Sequence, residues 1–193
     1  GINAEYGTNT YLICKNQQCI IVDPGFIDAN IVQFIENNKF ELKLILLTHA
    51  HIDHYLAAGY YKQKFKIQVH CNINDKNMFK SSLKFGKQYF VIPPSIFNTA
   101  DIFFQTFDYS LNGMQIYSAN TPGHTPGSTC FIIKELKAIL TGDTLFSDTV
   151  GNWSFKGGNY QEMCQSIEKL QQLSKNEQEK FQEFKIQSIQ ATT

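Results

Sequence analysis

Short runs of apolar and polar positions along the first fifty residues predict a hairpin, a helix and a buried strand. Residues 10–14 and 19–22 are β-rich and are joined by four polar residues, which is typical of a hairpin. Asp28 is a favourable N-cap for a helix whose apolar face begins at Ile31. Residues 42–47 are apolar except for Lys43, so we expect a strand buried on both faces.

The rest of the chain continues this mixture of strands and helices. Residues 56–61 and 74–83 have helical patterns, and 66–70 alternate as a strand does. Further strands are expected over 114–118, 129–133 and 138–141. An amphipathic helix is indicated by Met163, Ile167, Leu170 and Leu173. The pattern as a whole predicts a layered α/β (α+β) core.

Aromatic residues are frequent between positions 85 and 109, around an irregular segment that contains Pro93 and Pro94. We expect them to pack in the core, with a wall of a substrate pocket as the alternative for one or two of them. They are Phe85, Tyr89, Phe90, Phe97, Phe103, Phe104, Phe107 and Tyr109.

The candidate chemistry begins where the strand over 42–47 ends. Three of the five histidines lie within residues 48–54, beside Asp53. His49 and His51 should point to the same side, because side chains of an extended segment alternate. Asp53 and His54 follow at the expected turn into a helix. Imidazole and carboxylate suit zinc and similar cations, so this segment is a candidate for two neighbouring metal positions, against the alternative of a polar loop.

Three other strand ends carry polar residues that would complete such a site. Asp23 precedes Pro24 and Gly25, and it is either a plain turn residue or a partner for a ligand imidazole. His124 lies in a loop that two prolines and two glycines restrict, and Asp143 follows a later strand. His70 has no partner motif, and we interpret it as a structural or surface histidine.

Composition bounds the setting of this chemistry. The 193 residues suffice for one domain, 1–193, and no linker-like stretch divides them. Seventeen basic residues balance seventeen acidic ones, so the net charge favours neither nucleic acid nor an anionic membrane as a partner. The five cysteines lack CxxC spacing and are expected to be reduced thiols of a cytoplasmic protein. The chain begins at Gly1, which leaves an upstream targeting segment open.

The motifs THAHIDH, TPGHTPGS and GDTLF, preceded by DPG, resemble those of the metallo-β-lactamase-fold hydrolases. The resemblance is to the glyoxalase II-like (hydroxyacylglutathione hydrolase-like) branch, in its compact single-domain form, and runs from about residue 9 to 173. It implies a four-layer αββα sandwich with metals at one edge between the sheets. Truncation at both ends of that fold is left open.

Carried over by position, the resemblance implies that His49, His51 and His124 hold a first metal. Asp53 and His54 would hold a second, with Asp143 as the bridge. Two Zn²⁺ ions are expected, with Fe or Mn as alternatives. The implied nucleophile is a metal-bound hydroxide, and Asp53 would also act as a catalytic proton acceptor.

This chain departs from the family pattern at two places. Family members usually supply one more histidine in a Gly-His-Gly turn, whereas no histidine follows His124 and residues 174–193 form a polar tail. A Gly-Arg-x-Asp stretch is replaced around Asn152, where either Asn152 and Lys156 contact substrate or the loop is simply solvated. The sequence ends where larger members continue into a helical domain that helps to bind glutathione, so the resemblance does not extend to glutathione specificity.

The resulting functional expectation is hydrolysis of a thioester such as S-lactoylglutathione, with a glutathione conjugate as the small-molecule partner and the oligomeric state open. One alternative is a persulfide dioxygenase-like enzyme with one iron on His49, His124 and Asp143. Another is a non-catalytic metal-binding remnant of the fold.

Overall fold

The computed structural model describes residues 7–90 and 99–178, with side chains through residue 173. Within these ranges two β-sheets face each other, and helices lie on their outer faces. This is the expected αββα order. No helix in the described residues is both long and apolar enough to cross a bilayer.

The first sheet carries the ligand-rich segment at one edge. Its order is β1-β2-β3-β4-β5, antiparallel between β1 and β2 and parallel from β2 onward. The carboxyl ends of β2, β3 and β4 therefore meet at the same edge. The strands are β1 (Tyr11–Lys15), β2 (Gln18–Val22), β3 (Glu41–Leu46), β4 (Gln68–Asn72) and β5 (Ile102–Phe104).

The second sheet is antiparallel, in the order β6-β7-β8-β9. Because β7 and β9 both pair antiparallel with β8, they run in the same direction and end at one edge. His124 follows β7 and Asp143 follows β9 at that edge. The strands are β6 (Asp108–Leu111), β7 (Met114–Asn120), β8 (Thr129–Ile133) and β9 (Ala138–Leu140).

Five helices are described, and four of them cover the first sheet. The expected cap of the first is confirmed, since the side chain of Asp28 accepts a hydrogen bond from the backbone N–H of Asn30. The last helix lies on the second sheet, where Lys169 donates to the backbone oxygen of Asn120. The helices are α1 (Ala29–Asn37), α2 (Ile52–Tyr55), α3 (Ala58–Phe65), α4 (Met78–Gly86) and α5 (Tyr160–Gln178).

Two apolar layers hold the sandwich together. Strand β3 contributes to both, as its mostly apolar sequence predicts: Leu42 and Ile45 face the helices, whereas Leu44 and Leu46 face the second sheet. Phe131 and Ile116 meet the latter pair from the second sheet. Burial on both faces makes β3 a rigid support for the segment that follows it.

Several sequence-based boundaries need correction. The helix expected over 56–61 begins only at Ala58, as α3, and a separate short helix, α2, precedes it and already includes Asp53 and His54. The strand expected from Lys66 begins at Gln68, because Lys66 has a left-handed φ of 55° that ends α3. The helix expected from Asn74 begins at Met78, after a 3-10 turn over Ile73–Asp75.

Two of the aromatic residues assigned to the core are in fact on the surface. Phe85 is 54% and Tyr89 59% exposed, and their rings pack on each other at 4.7 Å. Phe104 and Phe107 are buried as predicted. The prolines at 93 and 94, Phe97, and the polar tail from residue 179 lie outside the described residues.

Candidate metal centre

Histidines from both sheets meet at the shared edge of the sandwich. His49 Nε2 lies 3.1 Å from His51 Nδ1, which lies 2.8 Å from His124 Nε2. The prediction that His49 and His51 point the same way is confirmed. One ligand atom from each of the three side chains lies within 4.8 Å of the others, so the three could hold a metal ion.

A second group adjoins the first. One ligand atom each of His49, His54 and Asp143 also falls within 4.8 Å of the others. Asp143 Oδ1 lies 3.2 Å from His54 Nε2, and its Oδ2 lies 3.4 Å from His124 Nε2. Asp53 Oδ2 lies 3.5 Å from His54 Nε2. The structure thus brings together all six residues that the sequence singled out.

Asp23 orients two of the histidines from behind. Its Oδ2 lies 2.9 Å from His54 Nδ1 and accepts a hydrogen bond of 2.7 Å from Thr48 Oγ1. Thr48 Oγ1 in turn lies 3.1 Å from His49 Nδ1. If each Nδ1 carries the proton, both Nε2 atoms are left with free lone pairs that face the site. Of the two interpretations of Asp23, the structure supports that of a partner for an imidazole, here that of His54. The backbone of Asp23 is left-handed, with a φ of 50°.

Asp75 ties the two ligand loops to each other, and sequence reasoning missed it. Its side chain is buried and accepts hydrogen bonds from the backbone N–H of Ala50, from Thr125 Oγ1 and from the backbone N–H of Gly127. Burial raises the pKa of the Asp75 carboxyl, although these hydrogen bonds oppose the rise. The signal available was its place after β4, because Asp23 and Asp143 also follow strands.

The electrostatics of the cluster favour the forms that bind cations. Burial and the neighbouring His54 hold the pKa of His49 well below its usual value. Burial and His124 lower the pKa of His51 to about 4. Burial alone would raise the pKa of Asp143. The attraction and hydrogen bond of the neighbouring His54 have a larger effect and lower this pKa to about 2. At neutral pH these groups are therefore neutral imidazoles and a carboxylate, as metal ligands must be.

His54 differs from the other histidines in its charge balance. Burial lowers its pKa, but Asp53, Asp143 and Asp23 together raise the pKa well above the usual value. The three negatively charged carboxylates around this imidazole stabilise a positive charge at the position of His54. In the absence of a cation, a proton on His54 supplies that charge.

The hydrogen-bond geometry gives an independent test of whether a cation fits. His49 Nδ1 is within hydrogen-bond distance of Thr48 Oγ1, and His124 Nδ1 lies 2.7 Å from the backbone oxygen of Asn152. Their Nε2 atoms then act as acceptors, and both face His51 Nδ1. One N–H of His51 cannot be donated in good geometry to two acceptors. A cation among the three nitrogens would satisfy all of them, so the residues present fit a metal.

His70 takes no part in either group. It is half-buried, and its ring packs against Phe107 at 6.0 Å between ring centroids. This agrees with its interpretation as a structural histidine. The cysteines are free thiols, of which Cys19, Cys71 and Cys130 are buried and Cys14 and Cys164 half-buried.

Known proteins resemble this chain over most of its length. Probable metallo-hydrolase YqgX of Bacillus subtilis is 31% identical over 171 residues, which is 84% of this chain and 78% of that protein. Hydroxyacylglutathione hydrolase GloC of Haemophilus influenzae is 37% identical over 150 residues, covering 76% of this chain and 70% of that protein.

Solved structures share the fold at lower identity. TTHA1623 in a di-iron-bound form superposes with a TM-score of 0.76 at 21% identity, covering 90% of this chain and 85% of its own. The family model described as the metallo-beta-lactamase superfamily matches residues 4–185. The chain therefore belongs to the metallo-beta-lactamase superfamily, whose fold implies binding of a divalent metal.

Proposed function

We propose that this protein is a metal-dependent thioester hydrolase, with two Zn²⁺ ions, or Fe or Mn in their place, and with S-lactoylglutathione as a representative substrate. The observation that carries the proposal is the position of Asp143. Its two carboxylate oxygens face two different histidines, His54 and His124, of the two adjoining groups. A carboxylate placed in this way suits two cations a few ångströms apart, and such pairs serve hydrolysis.

In this proposal each position has its own protein ligands. His49, His51 and His124 would hold one cation, and Asp53 and His54 the other, with Asp143 shared. When bound, the cations supply a lowered pKa for coordinated water and a positive charge for the oxygen of the substrate carbonyl. No protein nucleophile is then required.

The chain's own residues supply the proton acceptor and its orientation. Asp53 Oδ2 accepts a hydrogen bond of 2.9 Å from Thr8 Oγ1, which leaves Oδ1 available for a proton from the attacking water. The side chains of Asp53 and Asp143 are 29% and 25% exposed, so a substrate can approach them. A hydroxyacylglutathione is a thioester, so the name of the Haemophilus influenzae relative also supports this substrate class.

The test is hydrolysis of S-lactoylglutathione and other acyl-glutathiones by protein loaded with Zn²⁺, Fe²⁺ or Mn²⁺, followed as release of free thiol. We expect turnover by the native chain and a loss of at least about a hundredfold in Asp143→Asn, since a shared ligand is removed. Asp148→Asn is the matched control, because Asp148 is an exposed residue of the same segment. A folded, metal-loaded protein without activity on any of these thioesters would contradict the proposal. Oxygen uptake with glutathione persulfide would instead identify a one-iron oxygenase.

A further inference from the structure

Three aromatic side chains in the segment after Asp143 have much of their surface exposed, and one of them, Phe155, lies against the candidate metal centre. They form the aromatic rim, defined as Trp153, Phe155 and Tyr160. We propose that the aromatic rim binds the acyl group of the substrate, so that thioesters with an apolar acyl group, such as an aryl or alkyl chain, are preferred to those with a small hydroxyacyl group such as lactoyl. This inference rests on the proposed thioester hydrolysis and narrows its substrate class.

Phe155 lies directly against two of the candidate ligands. Its ring centroid is 6.0 Å from that of His51 and 6.3 Å from that of His124, with interplanar angles of 89° and 78°. Half of the Phe155 side chain is nevertheless exposed. A phenyl ring in solvent at this place contributes little to folding but offers an apolar surface within reach of a ligand on the metals.

Asn152 holds Phe155 in this position. The side-chain Oδ1 of Asn152 accepts hydrogen bonds from the backbone N–H and the hydroxyl of Ser154, at 2.8 and 2.7 Å. Its backbone oxygen faces His124 Nδ1 at 2.7 Å. The turn that presents Phe155 is thus tied to a candidate ligand, which gives the exposed ring a defined place.

Two residues close to Phe155 in the sequence are also exposed aromatic residues. The rings of Trp153 and Tyr160 lie 5.1 Å apart, and Trp153 is 39% and Tyr160 58% exposed. Gly151 packs closely against Asp143, since a Cβ there would overlap the backbone oxygen of Asp143. Lys156 is the one charged residue in the sequence from 151 to 160. Such a surface favours apolar groups over charged or hydroxylated ones.

Trp153 is the only tryptophan in the chain, so its fluorescence reports ligand binding at the aromatic rim without requiring turnover. The probes are phenylacetate and acetate, titrated into zinc-loaded protein. Both carry the carboxylate of an acyl product, and only phenylacetate carries an aryl group. We expect a saturable change in emission and binding of phenylacetate at least about tenfold tighter than that of acetate.

Phe155→Ala should reduce this preference at least about threefold, because the ring that contacts the aryl group is removed. Phe34→Ala is the matched control: Phe34 is 48% exposed, packs on Phe40 at the opposite end of β3 and should leave the preference unchanged. Equal affinity for the two acids, no response of Trp153, or an unchanged preference in Phe155→Ala would each overturn the inference.

Kinetics separate this inference from the proposed function. With phenylacetyl- and acetyl-glutathione, we expect a higher kcat/KM for the phenylacetyl substrate, and Phe155→Ala should raise its KM with little change in kcat. Turnover of both substrates with equal kcat/KM would support the proposed hydrolase activity and refute the role of the aromatic rim. Selective binding of phenylacetate without turnover of either thioester would refute the hydrolase and retain the apolar ligand class.

Discussion

Two segments border the candidate metal centre, and they are built in opposite ways. The ligand segment, residues 48–54, follows a strand buried on both faces and is held from behind by Asp23 and Asp75. The rim segment, residues 151–160, is exposed from 152 to 157 and is held chiefly through Asn152. Buried carboxylates fix the candidate metal ligands, whereas no buried carboxylate among the described residues holds the surface that we propose to meet the substrate.

This difference assigns different consequences to substitutions in the two segments. A change behind the ligand segment leaves buried donors without partners, which is costly. A change in the rim segment exposes or removes groups that already meet water. Stability and metal affinity should therefore depend on the first segment, and substrate preference on the second.

The largest effect is expected from Asp75→Ala. Three donors, from Ala50, Thr125 and Gly127, would lose their acceptor in a buried place. At about 1–3 kcal/mol for each unsatisfied group, the free energy of unfolding should fall by about 3 kcal/mol or more. Urea denaturation of the metal-free protein measures this. Ser154→Ala in the rim segment is the comparison, with an expected change within about 0.5 kcal/mol. A loss below about 1 kcal/mol in Asp75→Ala would show that the two loops are not joined through this carboxylate.

Asp23→Asn should act on metal affinity. Its Oδ2 accepts from Thr48 Oγ1 and faces His54 Nδ1. An amide nitrogen in place of this oxygen is itself a donor, so neither group would find an acceptor there. We expect binding at the position that includes His54 to weaken about 10- to 100-fold. Competition with a chromogenic chelator measures the change. Asp28→Asn serves as control, because asparagine caps a helix as well as aspartate does. Unaltered affinity in Asp23→Asn would remove the role given to Asp23.

A smaller effect is expected from Thr8→Val, which removes the hydroxyl that donates to Asp53 Oδ2. The bond is worth about 0.5–1.5 kcal/mol, so kcat should fall about 2- to 10-fold while metal content stays the same. Thr8→Ser keeps the hydroxyl and should restore most of the activity. A valine variant with full kcat would mean that Asp53 does not need this orientation.

The sequence predicted the centre better than its surroundings. His49, His51, Asp53 and His54 stand close together in the chain, so local spacing was enough to identify them. Asp23 and Asp143 were found because each follows an expected strand. Asp75 was missed because its neighbours have a helical pattern, and its three partners come from loops distant in sequence.

The same limit applies to the aromatic residues. Apolar character predicted burial for Phe85 and Tyr89, which are exposed, because composition does not show which helix face another element covers. For the segment around Asn152, the sequence is compatible both with a solvated loop and with a substrate contact. The proximity of Phe155 to His51 and His124 arises only when the segment after β9 folds back over the loop after β7.

Metal content per chain tests the central claim most directly. Protein purified without chelator, or reconstituted with Zn²⁺, Fe²⁺ or Mn²⁺ and freed of excess, would be analysed for metal together with Asp143→Asn. With Asp143 shared between two positions, the native chain should hold two equivalents, and the variant should lose metal from both positions. One equivalent or none in the native chain, or an unchanged two equivalents in Asp143→Asn, would contradict the two-metal centre.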